Sequence, residues 1–235
     1  QFDGQKQRRV ILECSARLRP VEQWDLREQP KPRRKDTAPN GMTNAAPAYR
    51  KNQPTSRDNP VMSTFRRNLV PGGTFFFTCV THNRRPILTT DLGRTCHREA
   101  ITKVGTDHPF NLLATVLLPD HWHSVWTLPP GDDRYSIRWM RVKEEFTNRW
   151  IEKGGAESPQ SESRVKQRRR GVWQSRFWEH TVRDEADLQR CVDYIHWNPR
   201  KHKLVKRLQD WQWSSFHRFV EAGQYELDRG GVAPA

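Results

Sequence analysis

The chain has 235 residues, of which 34% are hydrophobic, and 41 basic residues against 27 acidic ones give it a net charge of +14. A transmembrane helix needs about 20 consecutive apolar residues, and no apolar stretch approaches that length, which excludes a membrane-spanning protein. The positive charge favours a polyanionic partner, with nucleic acid ahead of a membrane surface.

The four cysteines form no CxxC pair. They therefore indicate neither a zinc ribbon nor a disulfide framework, and the expected compartment is the reducing cytoplasm. The composition divides the chain into three parts. Residues 1–60 are rich in proline and charge and are predicted to be a disordered basic extension. Residues 61–220 carry a globular pattern, and residues 221–235 are predicted to be a flexible tail.

The globular part predicts a regular series of elements. In chain order these are a strand over 74–80, a helix over 91–103, strands over 112–118 and 121–128, a helix over 135–151, a mobile basic loop over about 152–171, a short strand within 172–182 and a helix over 185–197. The first strand is predicted from its aromatic and β-branched residues. Pro119 and Asp120 form the turn of an antiparallel hairpin.

Helix boundaries and faces follow from capping residues and from helical spacing. Asp91 and Asp184 are predicted N-caps, and Pro199 is predicted to stop the last helix. One face of the first helix carries four small or apolar residues, Leu92, Cys96, Ala100 and Val104. The stripe predicted for the second helix consists of Ile137, Met140, Glu144 and Thr147.

The resulting order, β-α-β-β-α-β-α, predicts an α+β fold. Its first six elements match the ferredoxin-like split βαβ arrangement, which is one antiparallel sheet with helices on one face. The seventh element is an added C-terminal helix.

Two short motifs can carry chemistry. His121 and His123 stand at i and i+2 of a strand, so both imidazoles point to one face and can converge on one metal ion; the alternative is two surface histidines. Tyr194 and Asn198 stand at i and i+4 of the last helix and share a face. A tyrosine hydroxyl can act as a nucleophile, but a buried tyrosine beside a helix-terminal asparagine is the ordinary alternative.

Five segments in a fixed order make the pattern much more specific. They are PGGTFFFT at 71–78 (preceded by Arg66 and Arg67), LLPDHWH at 117–123, VWQSRFWEH at 172–180, YIHWNPRKH at 194–202 and DWQWSSF at 210–216. Together they resemble the REP-associated tyrosine transposases, a branch of the single-tyrosine HUH transposases. Asp120 stands where that family commonly has asparagine. It either adds a negative charge beside the metal site or serves only as a turn residue.

The resemblance implies a metal-dependent endonuclease and transposase that cleaves and rejoins single-stranded DNA. His121 and His123 would bind one Mg²⁺ or Mn²⁺ ion, with Asn198 as a candidate third ligand, and Tyr194 would form a 5′-phosphotyrosine intermediate. The added helix would then be catalytic. The implied partner is single-stranded or hairpin DNA with REP-like palindromes. The expected state is a nucleoid-associated monomer, with a dimer left open.

Basic and aromatic residues are the candidates for holding DNA. The predicted contacts are Arg164, Lys166, Arg168, Arg169 and Arg170 in the loop, Arg200, Lys201 and Lys203 with the neighbouring His202 after the last helix, and Arg66 and Arg67 before the first strand. Four tryptophans, Trp173, Trp178, Trp211 and Trp213, could stack on bases, although burial is the expected role for most of them.

Two other functions are compatible with the sequence. One is a catalytically silent module that binds DNA or RNA hairpins on a ferredoxin-like sheet. The other is a degraded transposase relic. Tyr194 separates these alternatives from the enzyme, because a pure binder has no need of a hydroxyl that faces two histidines.

Overall fold

A computed structural model describes residues 68–227 of the chain. The predicted extension 1–60, the DNA-contact candidates Arg66 and Arg67, and residues 228–235 of the predicted tail lie outside this part.

The described part contains the seven predicted elements in the predicted order. They are β1 (Thr74–Val80), α1 (Asp91–Asp107), β2 (Asn111–Leu117), β3 (His121–Thr127), α2 (Tyr135–Glu152), β4 (Trp178–Thr181) and α4 (Glu185–Lys201). Two short helices that were not predicted are α3 (Glu162–Lys166), inside the expected basic loop, and α5 (Phe216–Glu221). Single 3-10 turns lie at His82–Arg84 and Leu208–Asp210.

The four strands form one sheet in the order β2-β3-β1-β4, and every neighbouring pair is antiparallel. Strand β3 lies between β1 and β2, and β1 lies between β3 and β4. Each β-α-β unit therefore encloses a strand of the other unit, as in the split βαβ arrangement. The α+β prediction is confirmed.

One face of the sheet packs on α1 and α2 through a cluster of aromatic rings. Phe75 and Phe77 project to this face from alternate positions of β1, and both are fully buried. Trp126 of β3 stacks on Trp139 of α2, with ring centroids 4.6 Å apart and planes 8° apart. Large aromatic rings bury much apolar area each, so a modest number of residues builds this core.

The two helices on this face differ in how well their sequences predicted them. In α1 the predicted stripe does face the core, although the N-cap is Thr90, whose Oγ1 accepts a hydrogen bond from Gly93 N at 3.0 Å, and not Asp91. In α2 the predicted stripe does not face the core as a whole: Ile137 and Met140 are 38% and 54% exposed and Glu144 is exposed, and of its four residues Thr147 alone is buried. A parallel series of larger residues at helical spacing is buried in its place: Tyr135, Trp139, Val142, Phe146 and Trp150.

The opposite face of the sheet is covered by α4 and the segment after it, so the prediction of helices on one face only is wrong. The strands explain the difference, because Val116 and Val125 are apolar on this side too and need a cover. Ile195 of α4 and Phe216 of α5 are fully buried against them.

Helix α4 begins where predicted, since Asp184 accepts a hydrogen bond from Asp187 N at 2.8 Å. Its predicted end at Pro199 is wrong, because the helix continues to Lys201. A proline lacks one N–H donor and disturbs the preceding turn, but so near the end of a helix few bonds remain to be lost. The helix is therefore long enough to bring Lys201 and His202 towards the sheet.

Candidate active site

The two predicted histidines lie side by side on β3 and face α4. Both are buried, and their ring centroids are 4.9 Å apart. Each uses its Nδ1 atom in a hydrogen bond within the protein: His121 with Asp120 Oδ1 at 2.6 Å and His123 with Thr78 Oγ1 at 2.8 Å. Nε2 is therefore the nitrogen that each ring can offer to a metal, and the hydrogen bonds to Asp120 and Thr78 fix the orientations of the rings.

Asp120 determines the tautomer of its neighbour. Burial alone would raise the pKa of the Asp120 carboxyl, but hydrogen bonds from His121 and Arg84 outweigh it and lower the pKa. An ionised carboxylate can only accept, so Nδ1 of His121 donates and its Nε2 carries the lone pair. Of the two roles left open for Asp120, the contact with His121 supports the one beside the candidate metal site.

His123 is held in its neutral form. Burial, with the positive charge of Lys201 acting in the same direction, lowers the pKa of His123 to about 3. A neutral imidazole is the form that binds metals. Protons therefore do not compete for this ring near neutral pH.

Tyr194 reaches the histidines from α4. Its ring centroid lies 5.4 Å from that of His123 and 5.8 Å from that of Phe76 on β1. The ammonium of Lys201 donates to the Tyr194 hydroxyl at 3.3 Å and lies 4.6 Å from the ring centroid. The phenol thus stands in the same groove as the imidazoles, with a cation at its oxygen.

Asn198 lies on α4 one helical turn after Tyr194. It is fully buried, and its Nδ2 donates to the backbone oxygen of Tyr194 at 3.2 Å. Its side-chain oxygen, Oδ1, meets no donor at hydrogen-bond geometry within the described residues. The amide is nonetheless near enough to His123 to favour the protonated ring slightly. A buried amide oxygen without a donor is unusual and is suited to a cation.

Two neighbours of the histidines were not predicted as part of this site. His202 lies with its ring centroid 5.0 Å from that of His121, whereas the sequence placed it only in a basic cluster. The available signal was its position eight residues after Tyr194, but the predicted helix end at Pro199 placed His202 outside the helix. Thr78 could be found only from the register, which pairs it with His123.

An open groove of about 940 Å³ lies between the sheet and α4. It is lined by the two histidines, Thr78, Tyr194, Lys201 and His202, whereas Asn198 is buried and is not part of its lining. A second set of potential ligands lies at its edge, where donor atoms of His180, Asp187 and Cys191 fall within 4.8 Å of one another. Asp187 already accepts hydrogen bonds from Arg183 and Arg190, and burial raises the pKa of the Cys191 thiol to about 12. A cation there would meet two arginines and a protonated thiol, so the histidines of β3 are the better metal site.

The predicted DNA-contact residues are not gathered in the groove. Lys201 lines it, while Arg200 lies over the Trp197 ring, 4.6 Å from its centroid, and Lys203 is exposed. In the basic loop, Lys166, Arg168 and Arg169 are exposed. Arg164 donates to the backbone oxygens of Arg170 and of Trp173 just after the loop, and Arg170 pairs with Glu157 at 2.6 Å. These contacts tie the loop to itself, and its mobility stays a prediction.

No helix between residues 68 and 227 has the length and apolar character needed to cross a membrane.

Comparison with known proteins identifies the family of this chain. Residues 72–198 match the family described as Transposase IS200 like. The chain is 43% identical over 171 residues to the REP-associated tyrosine transposase of Escherichia coli, a match that covers 72% of this chain and 92% of the relative. A Haemophilus influenzae protein provisionally given the same name is 42% identical over 170 residues, covering 72% and 94% respectively.

A solved structure extends the match to three dimensions. It is a REP-associated tyrosine transposase bound to a REP hairpin, with 40% identity, a TM-score of 0.62, and coverage of 74% of this chain and 94% of the other. The strands, the helix that carries the tyrosine and the sequence matches lead to one conclusion: this chain belongs to the REP-associated tyrosine transposases, within the IS200-like transposase family.

Proposed function

We propose that the protein cleaves and rejoins single-stranded DNA at palindromic hairpin elements through a 5′-phosphotyrosine intermediate. The observation that carries the proposal is the position of Tyr194, whose ring lies 5.4 Å from that of His123 in a groove open to solvent. A tyrosine kept only for packing would not need a groove, two oriented imidazoles and a cation at its hydroxyl.

The two histidines of the groove and the buried Asn198 fit a divalent metal ion. His121 and His123 would hold it through Nε2, and Asn198 through the Oδ1 atom that meets no donor. A metal at this position would act as a Lewis acid on a phosphoryl oxygen. Two imidazole ligands suit Mn²⁺ better than Mg²⁺, which prefers an all-oxygen set. Mg²⁺ or Mn²⁺ is the proposed cofactor, with Mn²⁺ the tighter of the two.

The chain supplies the nucleophile itself. The phenolic oxygen of Tyr194 forms a bond to the scissile phosphorus and gives up its proton, while the bond from phosphorus to the 3′ oxygen breaks and that oxygen takes up a proton. The phosphate diester is conserved as a tyrosyl ester, so a 3′-hydroxyl can later attack it and restore the DNA without an energy source. Lys201, which donates a hydrogen bond to the tyrosine hydroxyl, would hold the attacking oxygen in place.

The proposed partner is DNA that combines a hairpin with a single strand. The relative whose structure is solved is bound to a REP hairpin, and this chain carries a net charge of +14. The exposed basic residues of the loop and of the segment after α4 would contact phosphates, and these contacts weaken as salt concentration rises. Tyr194 meets the histidines of its own chain, which supports a monomer acting in cis.

The direct test is incubation of the full-length protein with Mn²⁺ and labelled single-stranded oligonucleotides that carry palindromes from the source genome. A denaturing gel should reveal a covalent adduct with the wild type and none with Tyr194→Phe, while both proteins bind the hairpin equally. Tyr225→Phe removes a hydroxyl that bonds Asp193 at 2.6 Å and should leave the adduct intact. Hairpin binding without an adduct in the wild type would favour a silent binding module.

A further inference from the structure

Trp178 differs from the other tryptophans that could stack on bases. Trp173 and Trp211 are buried, and half-buried Trp213 is covered by the guanidinium of Arg94, 4.9 Å from its ring centroid. Trp178 is 55% exposed, and among the large apolar side chains exposed between residues 68 and 227 it is the aromatic one. Its side chain is therefore accessible to a ligand, unlike those of the other three tryptophans.

The sheet register places Trp178 beside the candidate active site. Thr78 of β1 pairs with His123 on one side and with Trp178 of β4 on the other. Two strand spacings therefore separate Trp178 from His123, about 10 Å between backbones. Directly opposed residues point to the same face of a sheet, so the indole and the imidazole line the same groove.

An aromatic surface connects Trp178 with the nucleophile. Phe76 meets the Trp178 ring edge-on at 5.6 Å and the Tyr194 ring edge-on at 5.8 Å. His180, which the register pairs with Phe76, lies nearly parallel to Trp178, with planes 8° apart and centroids 6.1 Å apart, and is held by Asp187 at 2.9 Å. The exposed indole thus packs against two aromatic rings that are themselves held in place by the sheet and by Asp187.

Cationic groups border this surface. Arg190 lines the groove with its side chain 52% exposed, and Lys201 lies at the Tyr194 hydroxyl. Exposed aromatic faces beside cations are the usual features of sites that bind single-stranded nucleic acid, because every base offers a π-face and every linkage a negative charge.

We infer that Trp178, supported by Phe76 and His180, is a stacking subsite for an unpaired nucleobase of the strand presented to Tyr194. The inference rests on the proposed function, because it needs single-stranded DNA in this groove. It adds the class of group that is bound beside the scissile phosphate. Stacking is tolerant of sequence, so the subsite would fix the position of the strand without reading which base it carries.

The test compares two probes that have equal charge and differ in their bases: a twelve-nucleotide oligothymidylate and a twelve-unit abasic strand. The full-length wild type should bind the first more tightly. Trp178→Ala should reduce the ratio of the two affinities by about fivefold or more, the lower end of what one stacked base contributes, while the affinity for the abasic strand stays the same. A smaller reduction overturns the inference.

Two variants control the measurement. Trp178→Phe keeps an aromatic face and should retain part of the ratio. Met140→Ala removes a side chain of similar exposure, 54%, from the far side of α2 and should retain all of it. Failure of this inference is separable from failure of the proposed function. If the wild type forms the covalent adduct but Trp178→Ala leaves the affinity ratio unchanged, the stacking subsite alone is removed. If Trp178→Ala reduces the ratio but the wild type forms no adduct, the subsite stands on a protein that binds DNA without cleaving it.

Discussion

The face of the sheet under α1 and α2 is filled with aromatic rings, whereas the face under α4 combines an apolar part with a groove lined by histidines. The same strands supply both faces. In β3, Trp122 is buried in the aromatic core, while His121 and His123 on either side of it point into the groove. Because side chains alternate along a strand, one face can supply stability and the other chemistry. Substitutions on the two faces should therefore have separable effects.

The largest expected effect is on the groove face. His121→Ala removes one proposed metal ligand and should slow adduct formation by about a thousandfold, since metal stabilisation of a phosphoryl transition state is worth several kcal/mol. Its free energy of unfolding should fall by less than about 2 kcal/mol. Single-turnover adduct formation and urea denaturation measure the two quantities. Activity close to that of the wild type would remove the metal-site argument.

On the core face the order of effects should reverse. Trp126→Ala removes the ring that stacks on Trp139 and leaves a cavity in the core, which should lower the free energy of unfolding by about 3–5 kcal/mol. Adduct formation by the fraction that remains folded should change little. Met140→Ala, on the exposed side of α2, is the control and should leave the free energy of unfolding within about 0.5 kcal/mol of the wild type. A Trp126→Ala protein as stable as the wild type would contradict the assignment of stability to this face.

Acid should weaken the groove face through His123. Its pKa is about 3 when folded, against an ordinary value of 6.5, so between these values the unfolded chain binds a proton that the folded protein does not. Stability is therefore lost as pH falls below 6.5, by about 2 kcal/mol at pH 5. Thermal melting of metal-free protein at pH 7 and pH 5 should show a smaller drop for His123→Gln. An unaltered drop, matching that of the control His108→Gln, would argue against a neutral buried His123.

The smallest expected effect tests the partner of His121. Asp120→Ala removes the hydrogen bond to Nδ1 and should weaken Mn²⁺ binding about tenfold, as is typical for groups that orient a ligand. Asp120→Asn keeps an acceptor and should lose less. Titration of Mn²⁺ followed by electron paramagnetic resonance measures the affinities of both variants. Glu144→Gln, at an exposed position of α2, is the control that also removes one negative charge. Equal affinities for all three variants would make Asp120 a turn residue only.

The sequence predicted the groups that depend on local periodicity. Alternation in β3 was enough to place His121 and His123 on one face, and helical spacing was enough to pair Tyr194 with Asn198. It failed where two patterns competed or where tertiary packing decided. In α2 a weaker stripe through Ile137 and Met140 concealed the buried one.

A periodic pattern cannot predict features that depend on contacts between residues far apart in the sequence. The packing of α4 carries the helix past Pro199, a residue that local preference treats as a stop. The positions of Thr78 and Trp178 beside His123 follow from the register of β1 with β3 and β4, which no local signal contains. The chemistry could therefore be predicted from motifs, but its surroundings needed the fold.

The central claim is that Tyr194 is the nucleophile of this groove, and mapping the site of DNA attachment tests it most directly. The chain has four tyrosines, Tyr49, Tyr135, Tyr194 and Tyr225, and the tryptic peptide 191–200 contains Tyr194 alone. Tandem mass spectrometry of a nuclease-trimmed and trypsin-digested adduct should find the nucleotide on that peptide. A nucleotide on a peptide that contains any other tyrosine would contradict the account.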